Sequence, residues 1–222
     1  MTTYAIEPAQ RTAAKFAGAW YLVAMAIGIF ADVFVRGRLV VPSDAAQTAS
    51  NILASPHHYR FGAVCHLFVF AGDVILAVAL YVILKPVNRH VALLAAFWRV
   101  IDSAILSVVI LNDFVALKFI AGGDYMLARL FLSVDRVGFQ IGFIFLGLGS
   151  TVYSYLWLKS GYIPKGFAAW GIFASSVMAF VTMAVMIFPD FGSAISMTYL
   201  VPMFFYEVGL GLWLLVKGIH MQ

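Results

Sequence analysis

The stretch that decides the fold is VALLAAFWRVIDSAILSVVILNDFVAL, from Val91 to Leu117. It is longer than the ~20 apolar residues that a transmembrane helix needs. It also carries Arg99 and Asp102 near its middle, where a charged side chain is costly inside a bilayer. The stretch therefore predicts a membrane-spanning helix whose two central charges need partners on other helices.

Composition indicates the class of protein. Of 222 residues, 64% are hydrophobic and 11% are charged, against about 45–50% and about 25% in an ordinary soluble domain. No polar linker divides the chain, so a single transmembrane domain over residues 1–222 is expected. The net charge of +4 favours anionic lipid headgroups as partners, not nucleic acid. Nothing in the composition indicates an oligomeric state.

Apolar runs predict an all-α bundle of six transmembrane helices. Their expected boundaries are residues 16–35, 61–84, 91–117, 137–158, 167–188 and 198–217. A cleaved signal peptide is the alternative for the first run. That run exceeds the usual ~7–15-residue core, and no small-x-small cleavage site follows it, so a retained span is favoured.

Two short helices are predicted to lie on the membrane surface, both on the side away from the termini. The first follows Ser43 and Asp44, which are good residues for a helix N-terminus, and ends before Pro56. The second begins after Asp124 and continues to about Val134. Both are far shorter than a span requires.

The distribution of basic residues predicts the orientation. The side that holds both termini collects the basic residues of the short turns against one acid, Glu7, whereas positive and negative charges balance on the other side. The residues of the first side are Arg11, Lys15, Lys85, Arg89, Lys159, Lys165 and Lys217. Because basic residues in short loops stay in the cytoplasm, both termini are expected to be cytoplasmic.

Once the charged residues near either end of the spans are set aside, four remain deep inside them, namely Asp73, Arg99, Asp102 and Glu207. Each lies roughly 13–18 Å from the cytoplasmic end of its helix, which is the midplane of a ~30 Å hydrocarbon core. Three different spans thus carry charge at one depth. We expect the second, third and sixth spans to face one another there.

The same four residues form the candidate substrate or proton site. Three carboxyl groups share the site with one guanidinium, and an excess of negative charge is costly in a low-dielectric core. At least one carboxyl is therefore expected to be protonated at neutral pH, with Glu207 favoured because its span brings no basic residue near it. The plainer interpretation is a buried ion pair of Arg99 with Asp73 or Glu207 that fixes helix register. Both interpretations can hold together.

Polar residues near the outer ends of the spans suggest a weaker candidate. Asp32, His66 and Asp113 could meet there and form an outward-facing metal or hydrolytic site. The adjacent residues His57 and His58 would point apart on a helix, and no HExxH motif occurs, so neither a metal site nor a cofactor is predicted. No GxSxG elbow is present either, and enzymatic activity is not favoured.

Helical spacing gives two local expectations. Asp32 and Arg36 are four residues apart and could pair along the surface of the first span. His66 and Asp73 are seven residues apart, which places them on nearly the same helix face.

Several stretches resemble a bacterial multi-pass membrane protein family catalogued as domain of unknown function 4386. They are RTAAKFAGAWYL, VPSDAAQTASNILASP, GDVILAVALYVILKPVNRHVALLAAFWRV, KSGYIPKG and PMFFYEVGLGLWLLVKG. The resemblance covers Arg11 to Gly218 and implies a multi-pass fold in the bacterial cytoplasmic (inner) membrane, without implying an activity.

The resemblance extends to single polar positions. Asp73, Arg99 and Glu207 stand where the family pattern is also polar. Asp135 and Gly149 depart from it, because histidine is expected at both positions. If histidine contributes to the family's function there, this chain lacks that contribution.

Three classes of function follow. The first is a protein that handles a small molecule or an ion, for example by proton-coupled transport, with its site at the midplane. The second is an accessory or structural subunit whose charges lock helix packing, and the third is an intramembrane enzyme with an outward-facing site. A continuous polar cavity would favour the first class, and a sealed, fully paired cluster the second.

Overall fold

The structure, a computed structural model, describes residues 6–41 and 44–220. Within these residues it contains helices and no strands, which confirms the predicted all-α fold. The predicted helix-starting residue Ser43 lies outside the described residues. Asp44 does begin the first surface helix, because its Oδ1 accepts a 2.9 Å hydrogen bond from the backbone N–H of Gln47.

We number the described helices α1 to α8. They are α1 (Pro8–Leu39), α2 (Ala45–Ala54), α3 (Pro56–Leu84), α4 (Arg89–Ala121), α5 (Tyr125–Ser160), α6 (Lys165–Ile187), α7 (Pro189–Ile195) and α8 (Thr198–Val216). All except α2 and α7 are long and apolar enough to cross a membrane. The chain is therefore a multi-pass membrane protein with six candidate spans, as predicted.

Local sequence signals position the ends of the central helices. Asn88 begins α4 by accepting a 3.1 Å hydrogen bond from the backbone N–H of Val91. Asp124 begins α5 in the same way through Leu127, also at 3.1 Å. Gly161 ends α5 in a left-handed conformation, with φ of 65°, which glycine adopts without steric cost.

The prediction of a second surface helix is wrong. The segment after Asp124 is the start of α5, which continues without a break to Ser160. Residues 125–136 contain neither glycine nor proline, so nothing interrupts the helix before the apolar run begins. The 36 residues of α5 extend over ~54 Å. A short helix occurs instead in the last loop, where α7 precedes α8.

The first span is longer than predicted and contains a π-helical segment, Phe30–Arg36. A π-helix bonds residues five apart, which changes the direction of side chains relative to an α-helix. The predicted pairing of Asp32 with Arg36 is wrong. Arg36 reaches Asp113 and Asp135, whereas Asp32 lies beside His66.

The spanning helices pack in a ring, in the order α1, α3, α4, α5, α6, α8 and back to α1. Both described ends of the chain meet at one face of this ring, which we call the terminal face. There Gln10 donates a 2.8 Å hydrogen bond to the carbonyl of Ile83, and the backbone N–H of His220 donates to the carbonyl of Tyr162. The helix α2 covers the opposite face, packing Ala49 and Ile52 into a small apolar cluster.

Two apolar layers lie inside the ring. The larger layer fills the half toward the terminal face and includes Leu80, Trp157 and Leu214. The smaller layer consists of Ala63, Val69, Phe70, Leu106 and Ile110. The midplane residues identified from the sequence lie between the two layers, because Asp73 follows Phe70 along α3 and Asp102 precedes Leu106 along α4.

Candidate functional site

Arg99 is the centre of the midplane site. Its Nη2 lies 3.9 Å from Oδ2 of Asp73 on α3, and its Nη1 lies 3.4 Å from Oε1 of Glu207 on α8. Nη1 also donates a 3.5 Å hydrogen bond to Oγ of Ser150 on α5. The second, third and sixth spans therefore meet at Arg99, as the sequence predicted. We call Asp73, Arg99, Asp102 and Glu207 the central cluster.

The first span completes the surroundings of Arg99. The indole N–H of Trp20 donates a 3.0 Å hydrogen bond to Oδ1 of Asp73, and the ring of Tyr21 lies 5.9 Å from the guanidinium carbon. The indole of Trp20 covers Gly72 and leaves no room for a Cβ at that position. Sequence reasoning missed α1 because no ionisable residue lies at this depth, although the adjacent aromatic residues were a signal.

Asp102 is the unusual member of the central cluster. It is 1% exposed, and its Oδ1 has no hydrogen-bond partner. It faces Gly142 on α5, where an added Cβ would lie 3.0 Å from that oxygen. Nε of Arg99 also has no partner. Since nearly all buried polar atoms in proteins are paired, two such atoms three residues apart on α4 mark an incomplete network.

Exposure differs within the cluster. The Arg99 side chain is 3% exposed, whereas those of Asp73 and Glu207 are 17% and 15% exposed. The guanidinium is thus almost fully buried, whereas two of the carboxyl groups of the cluster are partly exposed. Among the described residues, no group of three or more His, Cys, Asp or Glu side chains is arranged to hold a metal ion.

A second charged group lies toward the opposite face. Arg36 places Nη1 3.3 Å from Oδ1 of Asp113 and Nη2 2.8 Å from Oδ2 of Asp135. The hydroxyl of Tyr59 donates a 2.6 Å hydrogen bond to the same oxygen of Asp113. We call Arg36, Tyr59, Asp113 and Asp135 the opposite-face cluster. It joins α1, α3, α4 and α5.

The three outer candidates do not form one site. Oδ1 of Asp32 lies 3.3 Å from Nε2 of His66, whose ring stacks on Phe70. Asp113 belongs instead to the opposite-face cluster. His66 and Asp73 share a face of α3, as their spacing predicts, but each contacts a different partner.

Sequence reasoning missed three members of the opposite-face cluster because three helix boundaries were wrong. Arg36 was placed just beyond the first span, but α1 continues to Leu39. Asp135 was placed before the fourth span, but it lies ten residues after the start of α5, or ~15 Å along the helix. Tyr59 was placed in the loop before the second span. Continuous helical periodicity through residues 125–160 was the signal that could have located Asp135.

The two departures from the family pattern have structural consequences. Asp135 forms the ion pair with Arg36. Gly149 lies against α4, where an added Cβ would be 3.2 Å from the carbonyl oxygen of Ala95 and 3.5 Å from Cγ of Arg99. A side chain at position 149 would therefore displace the backbone that carries Arg99.

Comparison with known proteins identifies a family without naming an activity. The chain is 29% identical over 148 residues to an uncharacterized protein of Archaeoglobus fulgidus, which covers 66% of this chain and 76% of the relative. No solved structure matches the chain. The family model described as Domain of unknown function (DUF4386) matches residues 16–218. Because that match covers nearly the whole chain, the protein belongs to the DUF4386 family.

Proposed function

We propose that the protein binds protons at the central cluster and uses this binding to handle an ion or a small molecule in the membrane. The observation that carries the proposal is Asp102, whose carboxyl group is 1% exposed and has an unpaired oxygen. The proposed location is the bacterial cytoplasmic membrane, with both termini in the cytoplasm. The basic residues in the short turns of the terminal face support that orientation.

The charge of the cluster favours a proton as its ligand. One guanidinium cannot neutralise the three carboxylates of Asp73, Asp102 and Glu207. Buried unpaired charge costs several kcal/mol, and a carboxylate lowers that cost by taking up a proton. A protonated carboxyl group also becomes a hydrogen-bond donor, which a carboxylate is not. A metal cation is less favourable than a proton because Arg99 keeps its positive charge among the ligands.

The contacts of Arg99 support a guanidinium that can change its carboxyl partner, in addition to static ion pairing. Its distances of 3.4 Å to Glu207 and 3.9 Å to Asp73 exceed the ~2.7–2.9 Å of strong charge-assisted hydrogen bonds. Both carboxyl groups also keep part of their surface accessible. Protonation of either one would weaken its attraction to Arg99 and let the guanidinium move toward the other. Such a movement could couple proton binding to a change in helix packing.

Infrared difference titration of the purified protein in lipid tests the proposal. We expect protonated carboxyl absorption between pH 6 and 8, part of which is lost in Glu207→Gln or in Asp102→Asn. The matched control is Glu7→Gln, because Glu7 is exposed before α1 and lies outside the cluster. A wild-type protein with no such band, or a protonated carboxyl absorption whose intensity is unchanged in both cluster variants, would contradict the proposal.

The second candidate function is that of an accessory subunit whose central cluster only locks the helices. It is favoured by the position of Arg99, which is 2% exposed and contacts three other helices. The same titration distinguishes the two functions. A structural lock predicts no carboxyl band that is lost in Glu207→Gln or Asp102→Asn, together with a strong loss of stability when Arg99 is replaced.

A further inference from the structure

We propose that the opposite-face cluster is a second proton-binding site, in which Asp113 and Asp135 share one proton. This inference concerns different residues from the central cluster. It does not depend on whether the central cluster binds protons.

One guanidinium brings the two carboxyl groups together. Arg36 contacts Asp113 through Nη1 at 3.3 Å and Asp135 through Nη2 at 2.8 Å. The two carboxyl groups therefore both lie within reach of one guanidinium. Two carboxylates held in this way repel each other, and a shared proton replaces the repulsion with a hydrogen bond.

One buried carboxylate oxygen of the cluster lacks a hydrogen-bond donor, and a bound proton would provide one. Oδ1 of Asp135 is buried without a hydrogen bond, and the side chain is 2% exposed. The Asp113 side chain is 5% exposed, and its Oδ1 already accepts hydrogen bonds from Arg36 and Tyr59. Two carboxylates can only accept, so neither can satisfy the other. A proton on either residue provides the missing donor.

The surrounding charges favour uptake of one proton. Each packed helix contributes one group: Arg36 from α1, Tyr59 from α3, Asp113 from α4 and Asp135 from α5. Helix α2, which covers this face, has no titratable side chain between Ala45 and Ala54. One proton therefore leaves a guanidinium beside a single carboxylate, and the cluster becomes neutral. The guanidinium also disfavours a metal cation in the same place.

The position of the cluster favours proton exchange at the opposite face. The Arg36 side chain is 26% exposed, so the cluster reaches the surface of the bundle at this end. On the inner side, Phe70, Leu106 and Ile110 form part of the apolar layer that separates it from the central cluster. We therefore expect the two clusters to titrate independently, with the proton of the opposite-face cluster taken from bulk water at that face.

Infrared titration with carbon-13-labelled aspartate tests this inference on the full chain in lipid, because the label separates aspartate from glutamate bands. We expect a protonated aspartate band that is lost in Asp135→Asn and in Asp113→Asn. The band should persist in Glu207→Gln and in Asp102→Asn, which act on the central cluster. An aspartate band unchanged in both opposite-face variants would overturn the inference and leave the proposal for the central cluster intact.

A milder variant keeps the test decisive if the aspartate variants do not fold. Tyr59→Phe removes the 2.6 Å hydrogen bond to Asp113 without changing the charge of the cluster. Because that bond is one of the contacts of the carboxyl group that shares the proton, we expect the aspartate band to shift in frequency in the variant. Tyr155→Phe is the control, since Tyr155 is 45% exposed on α5. An aspartate band with the same position and titration in Tyr59→Phe as in wild type would overturn the inference.

Discussion

Gly142 and Asp102 face each other across the contact between α4 and α5. A Cβ at position 142 would lie 3.0 Å from Oδ1 of Asp102 and 2.6 Å from Cδ2 of Leu106. The space that the side chain of residue 142 would fill is thus already occupied by the carboxyl group and its neighbour. Close helix approach at a glycine, known from membrane bundles generally, here accommodates a buried acid.

Gly142→Ala should therefore destabilise the protein by about 1–3 kcal/mol, the usual cost of an extra methyl group in a packed interior. The measurement is thermal unfolding in lipid or detergent. Gly166→Ala is the matched control, because nothing lies within 4 Å of a Cβ added at Gly166. Equal unfolding midpoints for the two variants would mean that α4 and α5 are farther apart than described.

Arg99→Leu should accumulate less folded protein than Arg89→Leu. Arg99 is buried among Asp73, Asp102 and Glu207, so its removal leaves carboxyl groups without their cation. Breaking a buried ion pair in this way costs roughly 3–5 kcal/mol. Arg89 is exposed at the terminal face, at the start of α4. Yields and unfolding midpoints after purification measure the difference, and identical values for the two variants would contradict a structural role for the central cluster.

Arg36→Gln should destabilise the protein by about 1.5–3 kcal/mol through the loss of charge-assisted hydrogen bonds to Asp113 and Asp135. The control is Arg38→Gln, whose arginine is exposed and lies 5.7 Å from the Phe34 ring. The double variant Arg36→Gln/Asp135→Asn should regain part of the lost stability, because the stranded carboxylate is removed. Strictly additive losses in that double variant would indicate that the two residues do not interact.

The orientation can be measured with single cysteines in a Cys65→Ala background. We expect a membrane-impermeant maleimide to label Gln47→Cys and Gly123→Cys in intact spheroplasts, because both residues are exposed at the opposite face. His90→Cys and His220→Cys, at the terminal face, should be labelled only after lysis. None of these substitutions removes a lysine or arginine, so the charge pattern that predicts the orientation is kept. Labelling of the His220 site in intact spheroplasts would show that the C-terminus is outside.

The sequence by itself determined the class of protein and the residues of the central cluster. Long apolar runs are unfavourable in water, and inside a bilayer a helix hydrogen-bonds all of its own backbone groups. Six spans therefore follow from composition and length alone. The sequence could predict that Arg99, Asp73 and Glu207 meet, because the spans cross the bilayer roughly in parallel and the three residues lie at the same depth. Depth does not specify rotation about the helix axis. The sequence therefore could not show that Trp20 binds Asp73 or that Asp102 faces Gly142.

The opposite-face cluster was decided by the tertiary structure. Arg36 lies in the π-helical segment of α1, whose altered hydrogen bonding directs it away from Asp32, and no simple spacing rule anticipates that direction. Asp135 is buried because α5 begins at Tyr125 and packs against α4 over this length. Helix ends depend on which neighbours cover the terminal turns, as well as on local propensity. Only the packed ring of helices could bring Arg36, Asp113 and Asp135 within hydrogen-bonding distance, since they are far apart in sequence and lie on three different helices.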